Sequence, residues 1–89
     1  MAIKHRVYEN RFHIDYWKIL SHSVNEMTGI GTVIVGGYFN KPARDYYSEP
    51  FIKKEIFIKA TEYNKELTIA ELYPLVMKDN FFKNNEGLV

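Results

Sequence analysis

The sequence predicts a small α+β domain: an antiparallel β-sheet of three to four strands with a C-terminal helix packed on one face. Three observations carry that expectation. Two β-prone runs, from Phe12 to Val24 and Thr32-Val33-Ile34-Val35, are joined by a short glycine-containing segment, the pattern of a hairpin. Ile52, Ile56 and Ile58 alternate with Lys53, Glu55 and Phe57, the period of a strand with one face in water. Thr68-Ile69-Ala70-Glu71 then has the form of a helix-capping box.

Taken in order, Ala2 to Arg11 mixes charge with Ile3, Val7 and Tyr8 and reads as an edge strand or a mobile arm. From Phe12 the alternation sharpens. Ile14, Tyr16, Leu20 and Val24 fall on one side of an extended chain, with Trp17 and Ile19 on the other. Asn25 to Gly29 is a turn in which Gly29 is free to take positive φ. Gly36-Gly37 interrupts the valine-rich strand before Tyr38, which marks a bulge or a close backbone approach. Asn40 to Pro50 is a polar loop bracketed by Pro42 and Pro50, and Phe51 to Ile58 is the third strand.

Helix is expected from Thr68 to Asp79. Ile69, Leu72 and Val76 lie at i, i+3 and i+7, one helical face, and Pro74 should kink or divide the helix. Phe81 and Phe82 follow, and Asn84-Asn85-Glu86-Gly87 ends the chain in loop. Residues 1–89 form a single domain, with 1–11 as arm or edge strand, 12–58 as sheet and 68–79 as helix.

Composition narrows the function. Eighty-nine residues suffice for one core and bury about 64% of the unfolded surface, leaving little interior for a deep ligand pocket. The chain has no cysteine, so disulfides, cysteine-based zinc sites and thiol nucleophiles are excluded. With 12 basic and 11 acidic residues, the net charge is +1. Acids and bases are interleaved, which makes nucleic acid an unlikely partner. No apolar run is long enough to span a membrane.

Aromatic residues make up 16% of the chain, seven Tyr, six Phe and one Trp. A thin core cannot easily hide fourteen rings, and surplus aromatics belong at protein interfaces. Trp17, Tyr38 and Phe57 are the candidate interface residues. A sheet this small also leaves open edges that an oligomer would cover.

No catalytic, cofactor-binding or metal residues are assigned. His13 and Asp15 share a strand face at a spacing that orients an imidazole, but no nucleophile stands beside them. Surface histidine is the commoner meaning of such a pair. The glycines flank a Val-Ile-Val strand rather than a helix N-terminus, so they do not make a phosphate loop. Lys41, Arg44, Tyr46 and Tyr47 form a candidate binding loop, the basis of an alternative in which the chain is a small nucleic-acid or host-factor binding module.

Tyr16-Trp17-Lys18-Ile19, the strand Val33-Ile34-Val35 leading to Tyr38, the loop Asn40-Lys41-Pro42-Ala43-Arg44 and Phe82 form a recognisable order. In these features residues 12–89 resemble a group of short proteins encoded in the tail and baseplate gene module of phages and prophages of Gram-positive bacteria. Those proteins show an aromatic strand with a Y-x-x-I core, a valine-rich strand ending in Tyr, a [DN]-K-x-A-R loop and a short helix leading to phenylalanine. The chain departs from them in its basic arm before Phe12, in Pro74 and in its Asn-rich end.

The resemblance implies a bacteriophage structural or tail-assembly accessory protein with no enzymatic activity and no cofactor or small-molecule substrate. Such a protein acts as a homo-oligomer and with other phage structural proteins, in the virion or in the host cytoplasm during assembly.

Overall fold

The computed structural model describes residues 1–9, 11–40, 42, 45 and 49–89. Four strands, β1 (Ile3–Glu9), β2 (Phe12–Val24), β3 (Gly31–Tyr38) and β4 (Ile52–Ile58), form one antiparallel sheet in the order β1-β2-β3-β4. A helix, α1 (Ile69–Val76), and a 3₁₀ turn, Asn80–Phe82, follow. The α+β architecture is the one the sequence predicts. The first segment is a strand, paired with β2 along its length.

Turn chemistry explains the hairpins. Asn25 accepts from the backbone N–H groups of Met27 and Gly29, the former through its side chain, and Gly29 takes φ 76°. A side chain at that φ would be strained, so glycine suits the position. In the other tight turn Glu9 pairs with Phe12, and Arg11 takes φ 70°.

The sheet is not regular, and its two register shifts set the core. In β1 three steps from Lys4 to Val7 match two in β2, from Tyr16 to Ile14. In β2 the two steps from Ile19 to Ser21 match one in β3, from Val35 to Ile34. An extra residue flips the side-chain alternation. Past the second shift, the positions opposite Val33 and Gly31 are therefore His22 and Val24. The expected bulge at Gly36-Gly37 thus lies in the facing strand, one residue pair further on.

The glycines of β3 are notches. A Cβ on Gly37 would lie 2.7 Å from Ile14 Cγ2 and 2.8 Å from Trp17 Cζ3, and one on Gly36 would lie 2.9 Å from Pro50 Cβ. Close approach is the correct reading of this pair.

The core collects Ile3, Ile14, Trp17, Ile19, Val33, Val35, Ile56, Ile58, Tyr63, Leu72, Tyr73, Val76 and Phe82. All four strands contribute, and the helix and the 3₁₀ turn cover them. Thr68 caps α1 as its sequence requires: its hydroxyl accepts from the Glu71 N–H, and Glu71 accepts from the Thr68 N–H. These bonds hold the Glu71 carboxyl below its ordinary value.

The helix is shorter than expected, ending at Val76, two residues beyond Pro74. Pro74 has no N–H to offer the carbonyl four residues back, so the helix loses a bond near its end. The buried face is Leu72, Tyr73 and Val76, whereas Ile69 is exposed. The difference is a rotation of the apolar stripe toward Tyr73.

Tyr73 explains the rotation. Extending the β1–β2 register beyond Ile3 and Trp17 would set Met1 opposite Ile19. The Tyr73 hydroxyl stands between these two backbones instead. It accepts from the Ile19 N–H at 3.1 Å and donates to the Met1 carbonyl at 2.9 Å. A buried backbone donor at the end of the β1 ladder is satisfied in this way.

The C-terminal segment is not a free loop. Ala2 and Val89 exchange both backbone hydrogen bonds, at 3.0 and 2.8 Å. Lys4 donates to the Gly87 carbonyl and accepts from the Glu86 N–H. Gly87 takes φ 90°, letting two residues oppose Lys4. The outer edge of β1 is therefore covered over residues 2–4.

Candidate interaction surface

Two of the three residues expected at an interface are interior. Trp17 is fully buried, its Nε1–H donating to the His5 carbonyl at 2.8 Å, with Phe81 and Phe82 edge-on at centroid distances of 5.0 and 5.7 Å. Tyr38 is 4% exposed. Trp17 is thereby corrected from surface to core, and Tyr38 from surface to a buried position outside the core cluster: in a chain this small the largest rings supply most of the buried area. Phe57 is 61% exposed, on the opposite face from Ile56 and Ile58. Lys41, Arg44, Tyr46 and Tyr47 lie outside the described residues.

Rings not selected from the sequence form the most evident surface feature. Phe12 at the start of β2, Phe39 just after β3 and Phe51 just before β4 meet at one end of the sheet. Their centroids are 5.5, 5.5 and 4.7 Å apart for Phe12–Phe39, Phe12–Phe51 and Phe39–Phe51. Each is more than a third exposed. The signal in sequence was available only through topology, because β2, β3 and β4 bring these three positions together only once their order is known.

The outer edge of β4 pairs with no strand among the described residues. A groove of about 230 Å³ runs beside its C-terminal end, lined by Phe57, Ile58, Lys59, Glu62, Leu75, Lys78 and Asp79. Phe57 and Ile58 point to opposite faces of the sheet. A groove touching both straddles the strand edge.

The expected partnership of His13 with Asp15 is not the one formed. Both Asp15 oxygens bond the Arg6 guanidinium at 3.0 Å across the β1–β2 pair. His13 is exposed and meets the Tyr8 ring edge-on at 5.1 Å. Hydrogen bonds from Arg6 hold the Asp15 carboxyl below its ordinary value, burial opposing and the Arg6, His13 and Lys4 charges assisting.

A group whose folded value is depressed stabilises the fold above its unfolded value, and that stabilisation is lost as pH falls through the folded value. The Arg6 side chain is exposed, so solvent screening keeps the contribution of the pair small. Asp15→Asn should therefore lower the urea midpoint slightly at pH 7 and leave it near wild type at pH 2. An equal deficit at both pH values would mean that the carboxylate charge is not what stabilises.

Other polar side chains also make contacts within the fold. His22 Nδ1 lies 2.8 Å from the Tyr63 hydroxyl. Lys54 reaches Glu9 at 3.5 Å and sits over the Phe81 ring. Among the described residues, no three acids or histidines cluster as metal ligands, and no helix is long and apolar enough to cross a membrane.

These features define a curled antiparallel meander with a helix packed on it, an exposed aromatic cluster and an open strand edge. No protein-family model, curated protein or solved structure matches the chain.

Proposed function

We propose that this chain is a non-enzymatic phage structural or tail-assembly accessory protein that works through protein–protein contacts. It acts as a homo-oligomer and with other phage structural proteins, in the virion or in the host cytoplasm during assembly. The phage context rests on the sequence resemblance. The mode of action rests on one observation, the aromatic surface.

Phe12, Phe39 and Phe51 cluster in contact while each stays more than a third exposed. Phe57 and Tyr8, at 61% and 65% exposed, add two further rings. None of these rings belongs to the buried core cluster. Clustered exposed phenylalanines are costly in water and are characteristic of surfaces that a partner covers.

The test is the solution mass of the wild-type chain, by light scattering after size exclusion at two concentrations. A closed oligomer of fixed mass supports self-assembly. A monomer at both concentrations overturns it.

A further inference from the structure

We infer that the outer edge of β4 is a self-pairing edge, joining two copies across a two-fold axis into one eight-stranded sheet. The inference rests on the self-assembly proposed above and names the surface that carries it.

The backbone fixes which residues are free to pair. Asn25 donates to the Ile30 carbonyl, so Ile30 faces β2, and alternation turns Thr32 and Ile34 the same way. Gly31, Val33 and Val35 then face β4, and their partners Ile58, Ile56 and Lys54 face back. This leaves the N–H and C=O groups of Lys53, Glu55 and Phe57 pointing outward from β4.

Only a few two-fold antiparallel registers use those outward groups, and charge separates them. Centring the axis on Lys53 sets Lys53 against Lys53, and centring it on Glu55 sets Glu55 against Glu55. Like charges directly opposite are unfavourable. Centring it on Lys54 sets Lys53 of each copy opposite Glu55 of the other, twice over.

The same register pairs Ile52 with Ile56 on the core face and brings Phe51 of one copy level with Phe57 of the other. It also lays the second copy's Pro50 and Phe51 beside Ile58 and Phe57, at the groove that those residues share with Leu75. Lys54 meets its own copy at the axis, but each Lys54 is turned toward Glu9 and the Phe81 ring of its own chain. Lysines on an edge normally deter pairing. In this register the charges instead select one partner, a second copy of this chain.

Charge reversal tests the arrangement because it predicts a pattern rather than a loss. K53E alone and E55K alone each turn two attractive pairs into two repulsive ones and should weaken the dimer about 10- to 30-fold. Mixing the two variants should restore a dimer containing one of each, and the double variant K53E/E55K should dimerise like wild type. Both positions are exposed, and circular dichroism checks that each variant folds.

A second measurement reads the axis directly. The chain has no cysteine, and residues opposite each other at a non-hydrogen-bonded position lie about 4.5 Å apart, within disulfide reach. Lys54→Cys should cross-link two chains under mild oxidation, whereas Ser23→Cys, on a strand away from the edge, should not.

A wild-type oligomer unaffected by either single variant and not cross-linked through Lys54→Cys would overturn the β4 edge while leaving self-assembly intact. A wild-type monomer at every concentration would remove both.

Discussion

Replacing Trp17 by alanine should lower the unfolding free energy by about 3–5 kcal/mol, the usual cost of truncating a buried aromatic ring. A domain of this length has about 4–13 kcal/mol in total, so the variant sits near its folding limit. Two losses add. The indole fills the space between Gly37, Phe81 and Phe82, and its N–H satisfies the His5 carbonyl within the β1 irregularity. Trp17→Phe keeps most of the packing and loses the hydrogen bond, so it should cost about 1–2 kcal/mol. Urea titrations followed by far-ultraviolet circular dichroism measure both. A Trp17→Ala midpoint equal to wild type would mean that the ring is not packed where the structure has it.

Gly31→Ala should be nearly as damaging, at about 3 kcal/mol, the upper end of ordinary overpacking. The added Cβ would fall 2.1 Å from Tyr63 Cδ1 and 2.3 Å from its Cγ. The ring cannot simply turn aside, because its hydroxyl is tied to His22. Gly31 does not have positive φ, so the penalty is collision alone and not backbone strain. That separates it from a turn glycine. In a Tyr63→Ala background the same glycine substitution should cost far less, since the obstacle is gone. Equal costs in the two backgrounds, read from thermal or urea unfolding, would refute the collision.

What was legible in the sequence was local. The strand at Ile52–Ile58 announced its faces because all three isoleucines share one parity, with Lys54 the one charge among them, and Phe57 was correctly placed outside for that reason. Thr68 and Glu71 announced the helix start through a short-range pair of hydrogen bonds. Two-residue periodicity failed in β2, where Ile14 and Trp17 both reach Gly37 although they are three residues apart. Register shifts depend on the facing strands and leave no mark on the strand they alter. Tyr63 and Tyr73 were missed for a related reason. Their places are set by a glycine notch and by the end of the β1 ladder, both distant in sequence. The surface cluster of Phe12, Phe39 and Phe51 likewise exists only in three dimensions, whereas Trp17 and Tyr38 were chosen for ring size, the property that drew them inward.

The pairing of residues 86–89 with residues 2–4 separates two kinds of contact in this fold. The β1–β2, β2–β3 and β3–β4 pairs join neighbours along the chain, and such contacts close small loops quickly. Joining Ala2 to Val89 closes a loop of nearly the whole chain, with only a few hydrogen bonds in return. That junction should form last and open first. In native-state hydrogen exchange, the Ala2, Lys4 and Val89 amides should exchange through local opening, well ahead of those in β3, whose release needs the sheet to unfold. The two ends of the chain then behave as a latch: undoing it frees a row of backbone groups on β1 while the rest of the meander stays folded.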